Sequence, residues 1–324
     1  MKVLVPEQLD LAGLDSLDQL VPYDPTQPVP AECTDAEVFV AFGNTESQLA
    51  DSALRLQNVR LVQSLSAGSD AVLAAGFGPD VTIASGRTLH NDTVAEHTLA
   101  LILAMLRRIP ELVRLQDGHE WSSEIGGVQS EAPEDRLITL NRAEVTIWGF
   151  GSIGQRLAPI LQSLGAHVVG VAQSAGPRSG FEVIDSAALD ARLAETDILV
   201  CILPGAPQNR MLVDASRIRQ LPRRALLVNV GRGSTLDEGA LVAELRAGTI
   251  AGAALDVFEV EPLPSESALW GEPNVLITPH SAGGRPRAAA ALIDRNLNAL
   301  ATGQPLLNVV AGPAALTHIS PQSN

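Results

Sequence analysis

Six apolar segments recur between residues 145 and 278, and they limit the fold of this chain more than any other feature of the sequence. Each segment is short enough to be a strand, and the stretches between them are long enough for helices. Strands that alternate with helices in this way predict a doubly wound α/β fold, in which helices cover both faces of a parallel sheet. The six segments are Val145-Thr-Ile-Trp, Val168-Val-Gly-Val, Ile198-Leu-Val-Cys-Ile, Ala225-Leu-Leu-Val-Asn-Val, Gly252-Ala-Ala-Leu-Asp-Val and Val275-Leu-Ile-Thr.

A second alternation of strands and helices precedes these six segments. Its four predicted strands begin at Val3, Val38, Arg60 and Val81, and a long apolar helix that begins near Thr93 joins the two series. The chain has 324 residues, which is enough for two domains of ordinary size. Because the strands again alternate with helices, this part is expected to contain a parallel sheet of its own.

The last predicted helix, over residues 286–302, is expected to return the chain to the first domain. We therefore predict a discontinuous, smaller flavodoxin-like α/β domain formed by residues 1–93 and 287–324, and a Rossmann-type domain formed by residues 94–286. The mostly polar tail from Pro313 to Asn324 is expected to fray. Residues 117–142 are polar and irregular and are expected to form a loop or arm.

Charge and lysine content exclude several classes of protein. The net charge of −15 argues against a nucleic acid or an anionic membrane as the main partner, because both require a basic surface. The single lysine, Lys2, opens the first strand without a glycine-rich loop before it. Schiff-base enzymes, pyridoxal phosphate enzymes and P-loop NTPases need a lysine at their centre, so these classes are excluded.

The two cysteines, Cys33 and Cys201, lie far apart in the sequence. They are expected to be buried free thiols, because no Cys/His cluster has the spacing of a metal site. The first residues, Met-Lys-Val-Leu-Val-Pro-Glu, are expected to form a short strand rather than a signal peptide, and no apolar run approaches a membrane span. We therefore expect a soluble cytoplasmic protein without a metal.

A glycine-rich turn follows the first strand of the longer series. The residues from Gly149 to Gly154 have the pattern GxGxxG, in which the first glycine permits a tight turn and Gly151 permits close approach of a pyrophosphate. The third glycine, Gly154, lets the helix pack on the strand, and the N–H groups of Ser152 and Ile153 would face the phosphates. An ordinary turn can have this pattern, but the strand before it, the helix after it and five further strands favour a dinucleotide site.

The residues after the next strand bear on the choice of dinucleotide. An enzyme that binds NAD usually has a carboxylate there for the ribose 2′-hydroxyl, whereas this chain has Ser174 and, four residues later, Arg178. A guanidinium with a hydroxyl nearby would accommodate a 2′-phosphate. We therefore expect NADP(H) to be favoured and NAD(H) to remain possible, unless Arg178 is only a solvated loop charge.

Three ionisable residues follow three of the apolar segments. Arg232, Glu261 and His280 each come shortly after a predicted strand, and the carboxyl ends of parallel strands meet at the ligand crevice of such a sheet. Singly, they are equally well explained as a surface charge, a loop carboxylate and a core histidine. Together they would supply a clamp for an anion, an acid/base group and a carboxylate that orients it.

The chain resembles a known family at these positions, the D-isomer-specific 2-hydroxyacid dehydrogenases. This family includes glyoxylate/hydroxypyruvate reductases, phosphoglycerate dehydrogenase and formate dehydrogenase, and the resemblance covers nearly the whole chain. It implies that the larger domain binds NAD(P) and that the smaller domain binds the substrate. The motifs that carry it are Gly149-Phe-Gly-Ser-Ile-Gly154, Val228-Asn-Val-Gly-Arg232-Gly, Asp256-Val-Phe-Glu-Val-Glu261-Pro-Leu-Pro, Thr278-Pro-His280 and Gly303-Gln-Pro-Leu-Leu-Asn-Val.

The resemblance implies a role for each ionisable residue. Arg232 would bind the carboxylate of a 2-oxo acid and polarise its carbonyl, since a planar guanidinium matches a carboxylate. His280 would protonate the carbonyl oxygen as hydride reaches C2, and would act as the base in the reverse direction. Glu261 would bind the other imidazole nitrogen. Glu259 is expected to be a bystander, because the family's acid directly precedes a proline, here Pro262.

Further site residues follow only from the resemblance. Asp256 would contact the nicotinamide amide, and backbone at Leu203, Pro204 and Val230 would line the cofactor. The loop that contains Ala67 and Gly68 would hold the substrate carboxylate through its N–H groups. Asn209 stands where the family usually has threonine, and His90 and His97 are expected to be structural.

These expectations lead to one function and two alternatives. The chain is expected to transfer a hydride between NAD(P)H and a small, anionic 2-oxo or 2-hydroxy acid of the glyoxylate or hydroxypyruvate type, with D specificity. The resemblance also implies a homodimer. One alternative is a relative that oxidises phosphite or another acid, although formate is disfavoured because Glu261 stands where formate enzymes have glutamine. The other alternative is a non-catalytic regulator that senses a dinucleotide.

Overall fold

The computed structural model of the chain describes residues 1–11, 14, 19–128, 130, 133 and 135–313. The predicted polar tail, apart from Pro313, lies outside the described residues. The chain divides into two compact units, one formed by Met1–His90 with Arg285–Asn324 and the other by Asn91–Gly284. The boundaries of these units lie within three residues of the domain boundaries predicted from the sequence.

The described residues of the first stretch, up to His90, form five strands and two α-helices. Strands β3 and β4 are buried at every residue, which is characteristic of parallel strands covered on both faces. The elements are β1 (Lys2–Pro6), β2 (Gln19–Tyr23), β3 (Val38–Ala41), α1 (Glu46–Arg55), β4 (Leu61–Ser64), α2 (Asp70–Ala74) and β5 (Thr82–Ala84).

In the described part of the second unit, three α-helices come first, and seven strands that alternate with further helices follow. The buried residues of helix α3 lie on one face of the helix, whereas Glu96, Ala100 and Leu103 are exposed, so the helix is less buried than its apolar sequence predicted. The elements are α3 (Asn91–Leu106), α4 (Ile109–Asp117), α5 (Ser123–Gly126), β6 (Glu144–Trp148), α6 (Ser152–Ser163), β7 (His167–Ala172), β8 (Glu182–Asp185), α7 (Leu189–Leu193), β9 (Ile198–Cys201), α8 (Ala215–Ile218), β10 (Leu226–Asn229), α9 (Glu238–Arg246), β11 (Gly252–Leu255) and β12 (Val275–Ile277).

The chain then returns to the first unit through α10 (Ala289–Thr302) and β13 (Val309–Ala311). The sheet of the first unit has the order β13-β5-β4-β3-β1-β2, and that of the second unit β12-β11-β10-β9-β6-β7-β8. Without β13, the first order is the flavodoxin-like arrangement, and the second is the doubly wound order of dinucleotide-binding sheets. The predicted fold class is therefore confirmed.

Three strands were not predicted from the sequence, and all three lie at sheet edges. They are β2, β8 and β13, so the sheet of the second unit has seven strands rather than the six predicted. An edge strand needs no continuous apolar run, because only part of its surface is covered. In addition, β13 pairs antiparallel with β5, so the smaller sheet is not purely parallel.

Two apolar clusters cover the faces of the larger sheet. The first cluster contains residues of α3, residues of α6 such as Leu157, and strand residues such as Val200. The second cluster contains the neighbouring strand residue Leu199 and Leu241 of α9. Both cysteines, Cys33 and Cys201, are buried free thiols, as predicted. No helix among the described residues combines the length and the apolar character that a membrane span requires.

Candidate active site

Three neighbouring strands place the candidate residues at one edge of the larger sheet. Strands β10, β11 and β12 are parallel, and their last residues Asn229, Leu255 and Ile277 lie opposite one another. The three loops that follow therefore leave the sheet side by side at its carboxyl edge. This is the edge at which ligands bind in open α/β sheets.

Side-chain hydrogen bonds and close packing shape the loop that carries Arg232. The buried Asn229 side chain accepts a hydrogen bond from Gly231 N (3.1 Å) and donates one to the carbonyl oxygen of Arg232 (3.1 Å). Gly233 packs directly against the next loop, since a Cβ atom there would lie 1.8 Å from the carbonyl carbon of Phe258. Only glycine fits at this position, so the turn holds Arg232 in a defined place.

Glu261 and His280 form a hydrogen-bonded pair. The Nδ1 atom of His280 lies 2.7 Å from Oε2 of Glu261, and Oε1 of the same carboxylate accepts a hydrogen bond from Phe258 N (2.9 Å). The two side chains are partly exposed, at 46% for His280 and 34% for Glu261. Both carboxylate oxygens are therefore engaged, and Nε2 is the imidazole nitrogen that does not face Glu261.

The electrostatics of this pair favour its charged form. The hydrogen bond to Glu261 raises the pKa of His280 above its ordinary value, against partial burial and the nearby Arg232, which lower it. Partial burial acts to raise the pKa of Glu261. Hydrogen bonds from His280 and from Phe258 N act in the other direction, as does the charge of Arg232, so that the pKa of Glu261 is lowered overall. The charge of Arg232 thus acts on both members of the pair, which places the three predicted residues in one site.

A buried carboxylate holds the turn that presents His280. The backbone of His280 is left-handed, with φ at +49°, and its N–H donates to the carbonyl oxygen of Asp256 (2.8 Å). The carboxylate of Asp256, which is 1% exposed, accepts hydrogen bonds from the hydroxyl of Thr278 (2.6 Å), Ser281 N (2.9 Å) and Ala282 N (3.1 Å). Asp256 therefore fixes the residues on both sides of His280.

His97 is a member of this network that the sequence did not assign to the site. Its Nε2 lies 3.0 Å from the Thr278 hydroxyl oxygen and 3.3 Å from a carboxylate oxygen of Asp256. The signal in the sequence was an imidazole in the first half of α3, a helix whose second half is apolar. His97 thus has a structural role, and that role is to support the turn that carries His280.

Glu259 lies close to the pair but has other partners. Its carboxylate forms an ion pair with Arg210, and its backbone N–H donates to Glu238 (2.7 Å). Burial raises the pKa of Glu238, and the nearby carboxylates of Glu259 and Glu261 raise it further. The structure therefore pairs His280 with Glu261 and not with Glu259.

An apolar cavity of about 450 Å³ opens beside His280 and Glu261. Its other walls come from the loops after β11 and β12, including Leu263 and Trp270. Sequence reasoning did not identify these wall residues, because nothing in their spacing distinguishes a cavity wall from the core. They give the site an apolar surface next to its acid/base group.

The glycine-rich turn between β6 and α6 has the form that a dinucleotide requires. Gly149 has φ at +103°, and a Cβ atom there would lie 2.4 Å from the carbonyl oxygen of Ile202, so another residue would be strained and crowded. Gly151 is the N-cap of α6, and a Cβ atom there would meet nothing within 4 Å, so the turn faces open space. Ser152 and Ile153 begin the helix, and Gly154 is buried in its first turn.

The other predicted cofactor residues lie at the same edge of the sheet. Leu203 and Pro204 follow β9, and Val230 follows β10 and donates its N–H to Cys201 O (3.1 Å). After β7, the guanidinium of Arg178 donates to the hydroxyl (2.8 Å) and the carbonyl oxygen (2.7 Å) of Ser174. The structure therefore brings together the two residues predicted to meet a 2′-phosphate.

In the first unit, Ala67 and Gly68 lie in the loop after β4. His90, the last residue of the first segment of this unit, has its Nε2 atom 2.7 Å from the carbonyl oxygen of Leu65, just before the loop. Gly68 lines a cavity of about 60 Å³ within this unit. The loop is therefore anchored at its start and borders a small open space.

A comparison with known families identifies the chain. The profile described as "D-isomer specific 2-hydroxyacid dehydrogenase, NAD binding domain" matches residues 99–282, which is more than half of the chain. The chain belongs to this family. Among the described residues of this family member, no group of three or more His, Cys, Asp and Glu side chains is placed to hold a metal ion.

Individual relatives agree with this assignment. The glyoxylate/hydroxypyruvate reductase B of Yersinia pestis (strain Pestoides F) is 31% identical over 320 residues, which cover 94% of this chain and 93% of the relative. A family protein of known structure from Aeromonas salmonicida is 29% identical with a TM-score of 0.81, and the match covers 95% of this chain and 98% of that protein.

An NADPH-dependent glyoxylate/hydroxypyruvate reductase from Sinorhizobium meliloti, solved in complex with NADP and sulfate, is also similar. It is 30% identical with a TM-score of 0.79, and the match covers 95% of this chain and 98% of that protein. The family member described here therefore shares its fold over nearly its whole length with enzymes that carry these names.

Proposed function

We propose that this chain catalyses reversible hydride transfer between a nicotinamide dinucleotide and a small 2-oxo or 2-hydroxy acid, with D specificity. The observation that carries this proposal is the 2.7 Å contact between His280 Nδ1 and Glu261, formed next to Arg232 at the carboxyl edge of a doubly wound sheet. Family membership adds that relatives with this fold are named as dehydrogenases and reductases of such acids.

Arg232 is proposed to bind the substrate carboxylate. Its planar guanidinium can hold the two oxygens of a carboxylate in one plane. Its positive charge next to the carbonyl of a 2-oxo acid would stabilise the negative charge that develops on the oxygen during reduction. Because the chain carries a net charge of −15, this local cation has to overcome the general field of the protein.

His280 is proposed to move the proton. Glu261 occupies Nδ1, so Nε2 is the nitrogen that would donate to the carbonyl oxygen in reduction and accept a proton from the hydroxyl in oxidation. The raised pKa of His280 keeps more of the imidazole protonated near neutral pH, which favours its action as an acid. When bound, the dinucleotide supplies the hydride.

The glycine turn is proposed to hold the pyrophosphate at Gly149, Gly151 and the first N–H groups of α6. The Ser174–Arg178 pair supports NADP(H) over NAD(H), because a guanidinium fixed next to a hydroxyl offers donors for a 2′-phosphate. Some similar proteins were solved with NADP or NADPH, which agrees with this preference. Leu203, Pro204, Val230 and Asp256 remain proposed contacts of the cofactor.

The first unit is proposed to bind the substrate carboxylate through the N–H groups of Ala67 and Gly68. Glyoxylate and hydroxypyruvate are the first substrates to consider, because they appear in the names of similar enzymes. The apolar cavity beside His280 gives a reason to include 2-oxo acids with larger side chains.

The chain is also proposed to act as a homodimer in the cytoplasm. Support for a dimer comes from exposed apolar side chains on and near α4, which are Leu103, Ile109, Leu112, Val113 and Trp121. The cytoplasmic location stays a prediction from the sequence. Light scattering of the purified protein would measure the oligomeric state, and a monomer at micromolar concentration would contradict the proposed dimer.

The proposed function is tested by measuring oxidation of NADPH and of NADH with a set of 2-oxo acids. We expect turnover with NADPH, and we expect Arg232→Ala and His280→Ala to reduce kcat/KM by about 100-fold to 10,000-fold. Arg60→Ala and His167→Ala are matched controls, because both residues are exposed and lie outside the site.

Two outcomes would contradict the proposal. Protein that binds NADPH but consumes neither dinucleotide with any 2-oxo acid would fit a regulator rather than an enzyme. Protein that reduces NADP⁺ only with phosphite would fit an enzyme that oxidises an inorganic acid. Unchanged turnover in Arg232→Ala or His280→Ala would leave the hydride transfer standing but would refute the assigned site.

A further inference from the structure

A second cavity lies at the opposite edge of the larger sheet. It has a volume of about 160 Å³ and is lined by Leu226, Gly252 and Val275, which are the first residues of β10, β11 and β12. The candidate active site follows the last residues of the same three strands. A strand of four residues spans about 10 Å, so a ligand in this cavity would not touch the active-site residues.

The wall of this cavity is rich in arginine. Four guanidinium groups line it, from Arg108, Arg114, Arg136 and Arg224, whereas Glu111 is the one carboxylate among its described lining residues. Carboxylates lie near these arginines as well, since Glu111, Glu124 and Asp135 act on Arg108 and Asp197 binds Arg224. The cavity therefore attracts an anion only through guanidinium groups that keep unused N–H donors.

Two of the four arginines are strongly paired with carboxylates. Arg108 binds both oxygens of Glu111, at 2.8 and 2.7 Å, and Arg224 binds the buried carboxylate of Asp197 at 2.7 Å. These bonds hold the two guanidinium groups in place and neutralise much of their charge. They are therefore walls of the cavity rather than its main binding groups.

The other two arginines have weaker described contacts. Arg114 donates to the carbonyl oxygen of Pro273 at 3.3 Å, a neutral partner, and Arg136 lies 3.9 Å from the carboxylate of Asp135, beyond hydrogen-bond distance. A guanidinium has five N–H donors, so both retain donors for a ligand. An oxyanion that bridges Arg114 and Arg136 would meet planar donors from each side.

Apart from Asn274, the other side chains that line the cavity are apolar. Its floor contains Met105, Leu106 and Leu137, together with the apolar first residues of the three strands. An inorganic anion would gain nothing from these side chains, whereas the apolar part of an organic anion would be removed from water against them. The chemistry of the cavity thus requires a charged end and an apolar body in one small ligand.

We propose that this cavity is a second ligand site for a small organic carboxylate with an aromatic or branched aliphatic body. Arg114 and Arg136 bind the carboxylate, and the apolar floor receives the body. The site is independent of hydride transfer and goes beyond the proposed function.

The face of α4 that lines the cavity differs from its exposed apolar face. Pro110, Glu111 and Arg114 line the cavity, whereas Ile109 and Val113 are exposed. At 100° per residue, these two sets project to different sides of the helix. The residues of α4 that line the cavity are therefore not those of its exposed apolar face.

The test measures binding of benzoate to the Arg232→Ala variant by titration calorimetry, with inorganic phosphate at equal ionic strength as the second probe. The Arg232→Ala substitution removes the proposed carboxylate clamp of the active site, so benzoate binding to this variant reports on the second cavity. Its result therefore does not depend on whether the proposed hydride transfer is correct. We expect one saturable benzoate site, and weaker binding by at least about tenfold when Arg114→Gln and Arg136→Gln are added together. Arg60→Gln is the matched control and is expected to leave the affinity unchanged.

Three results would overturn the proposal. The first is a failure of the expected benzoate site. Either no saturable binding is measured, or Arg114→Gln and Arg136→Gln together do not weaken it although the melting temperature of the protein is unchanged. The second is phosphate binding as tight as benzoate binding, which would exclude a role for the apolar floor. The third is binding that occurs only after Ile109→Asp has dissociated an oligomer, because the cavity would then belong to a contact between copies of the chain.

Discussion

Replacement of Asp256 by asparagine is expected to destabilise the second unit strongly, because this buried carboxylate holds the turn that presents His280. Its two oxygens accept hydrogen bonds from Thr278, Ser281 and Ala282, and His97 approaches one of them. An asparagine has one acceptor oxygen and places an N–H₂ group against these donors. At least one buried backbone N–H group therefore loses its partner.

The expected loss of stability can be worked out from these contacts. A hydrogen bond to a charged group contributes about 1.5–3 kcal/mol, and an unsatisfied buried donor costs about 1–3 kcal/mol. We therefore expect Asp256→Asn to lower the free energy of unfolding by about 3–5 kcal/mol. For a unit of this size, that change lowers the melting temperature by about 6–20 °C.

The effect should also depend on pH. Burial acts to raise the pKa of Asp256, but the hydrogen bonds from His97, Thr278 and the two backbone N–H groups lower it overall. A lowered pKa means that the stabilisation is present above the unfolded value of about 3.9 and is lost as the pH falls through the folded value. The difference between wild type and variant should therefore be constant near neutral pH and shrink in strong acid.

Differential scanning calorimetry without added dinucleotide would measure this effect. Asp190→Asn is the matched control, because Asp190 forms an exposed ion pair with Arg217, and such pairs contribute about 0–1 kcal/mol. A melting temperature of Asp256→Asn within 2 °C of the wild type would mean a change of less than about 1 kcal/mol in the free energy of unfolding. In that case the carboxylate would not be holding the turn. The structural explanation of the His280 position would then be refuted.

Three further outcomes are expected. Glu261→Gln should move the alkaline limb of the pH profile for 2-oxo acid reduction to lower pH, because the carboxylate of Glu261 raises the pKa of His280. Glu259→Gln is the control and should leave the profile in place. Equal profiles for the two variants would contradict the pairing of His280 with Glu261. Gly149→Ala should weaken NADPH binding by at least about tenfold in fluorescence titrations, since its φ of +103° and the nearby carbonyl oxygen exclude a side chain. Arg178→Ala should raise KM for NADPH by about tenfold and leave that for NADH unchanged, and an equal rise for both cofactors would show that Arg178 does not bind the 2′-phosphate.

Much of the fold was predictable because central parallel strands are buried on both faces. Such strands need continuous apolar runs, and β6, β9 and β10 therefore stand out in the sequence. The edge strands did not stand out, because β2 contains a proline, β8 contains two charged residues, and β13 has only three residues. Whether a segment pairs at an edge depends on the neighbouring strand, which local sequence does not reveal.

The sequence predicted which side chains meet in the candidate site. It did not predict the hydrogen bonds that hold them in place. Position after parallel strands places Arg232, Glu261 and His280 together, because strand ends lie at one edge of a sheet. The support from His97 was not predictable, since α3 lies far from His280 in the sequence. The cavity at the opposite edge of the sheet was not predictable for the same reason, because its arginines come from separate segments.

The sequence by itself determined the fold class, the glycine turn and the three ionisable residues of the site, since each depends on short-range spacing and on the rule that parallel strands share an edge. Only the tertiary structure decided that Asp256 is buried under the His280 turn, that Glu259 pairs with Arg210, and that an arginine-lined cavity exists. These features depend on which side chains from distant segments come within hydrogen-bond distance. That is a property of packing in three dimensions and has no counterpart in spacing along the chain.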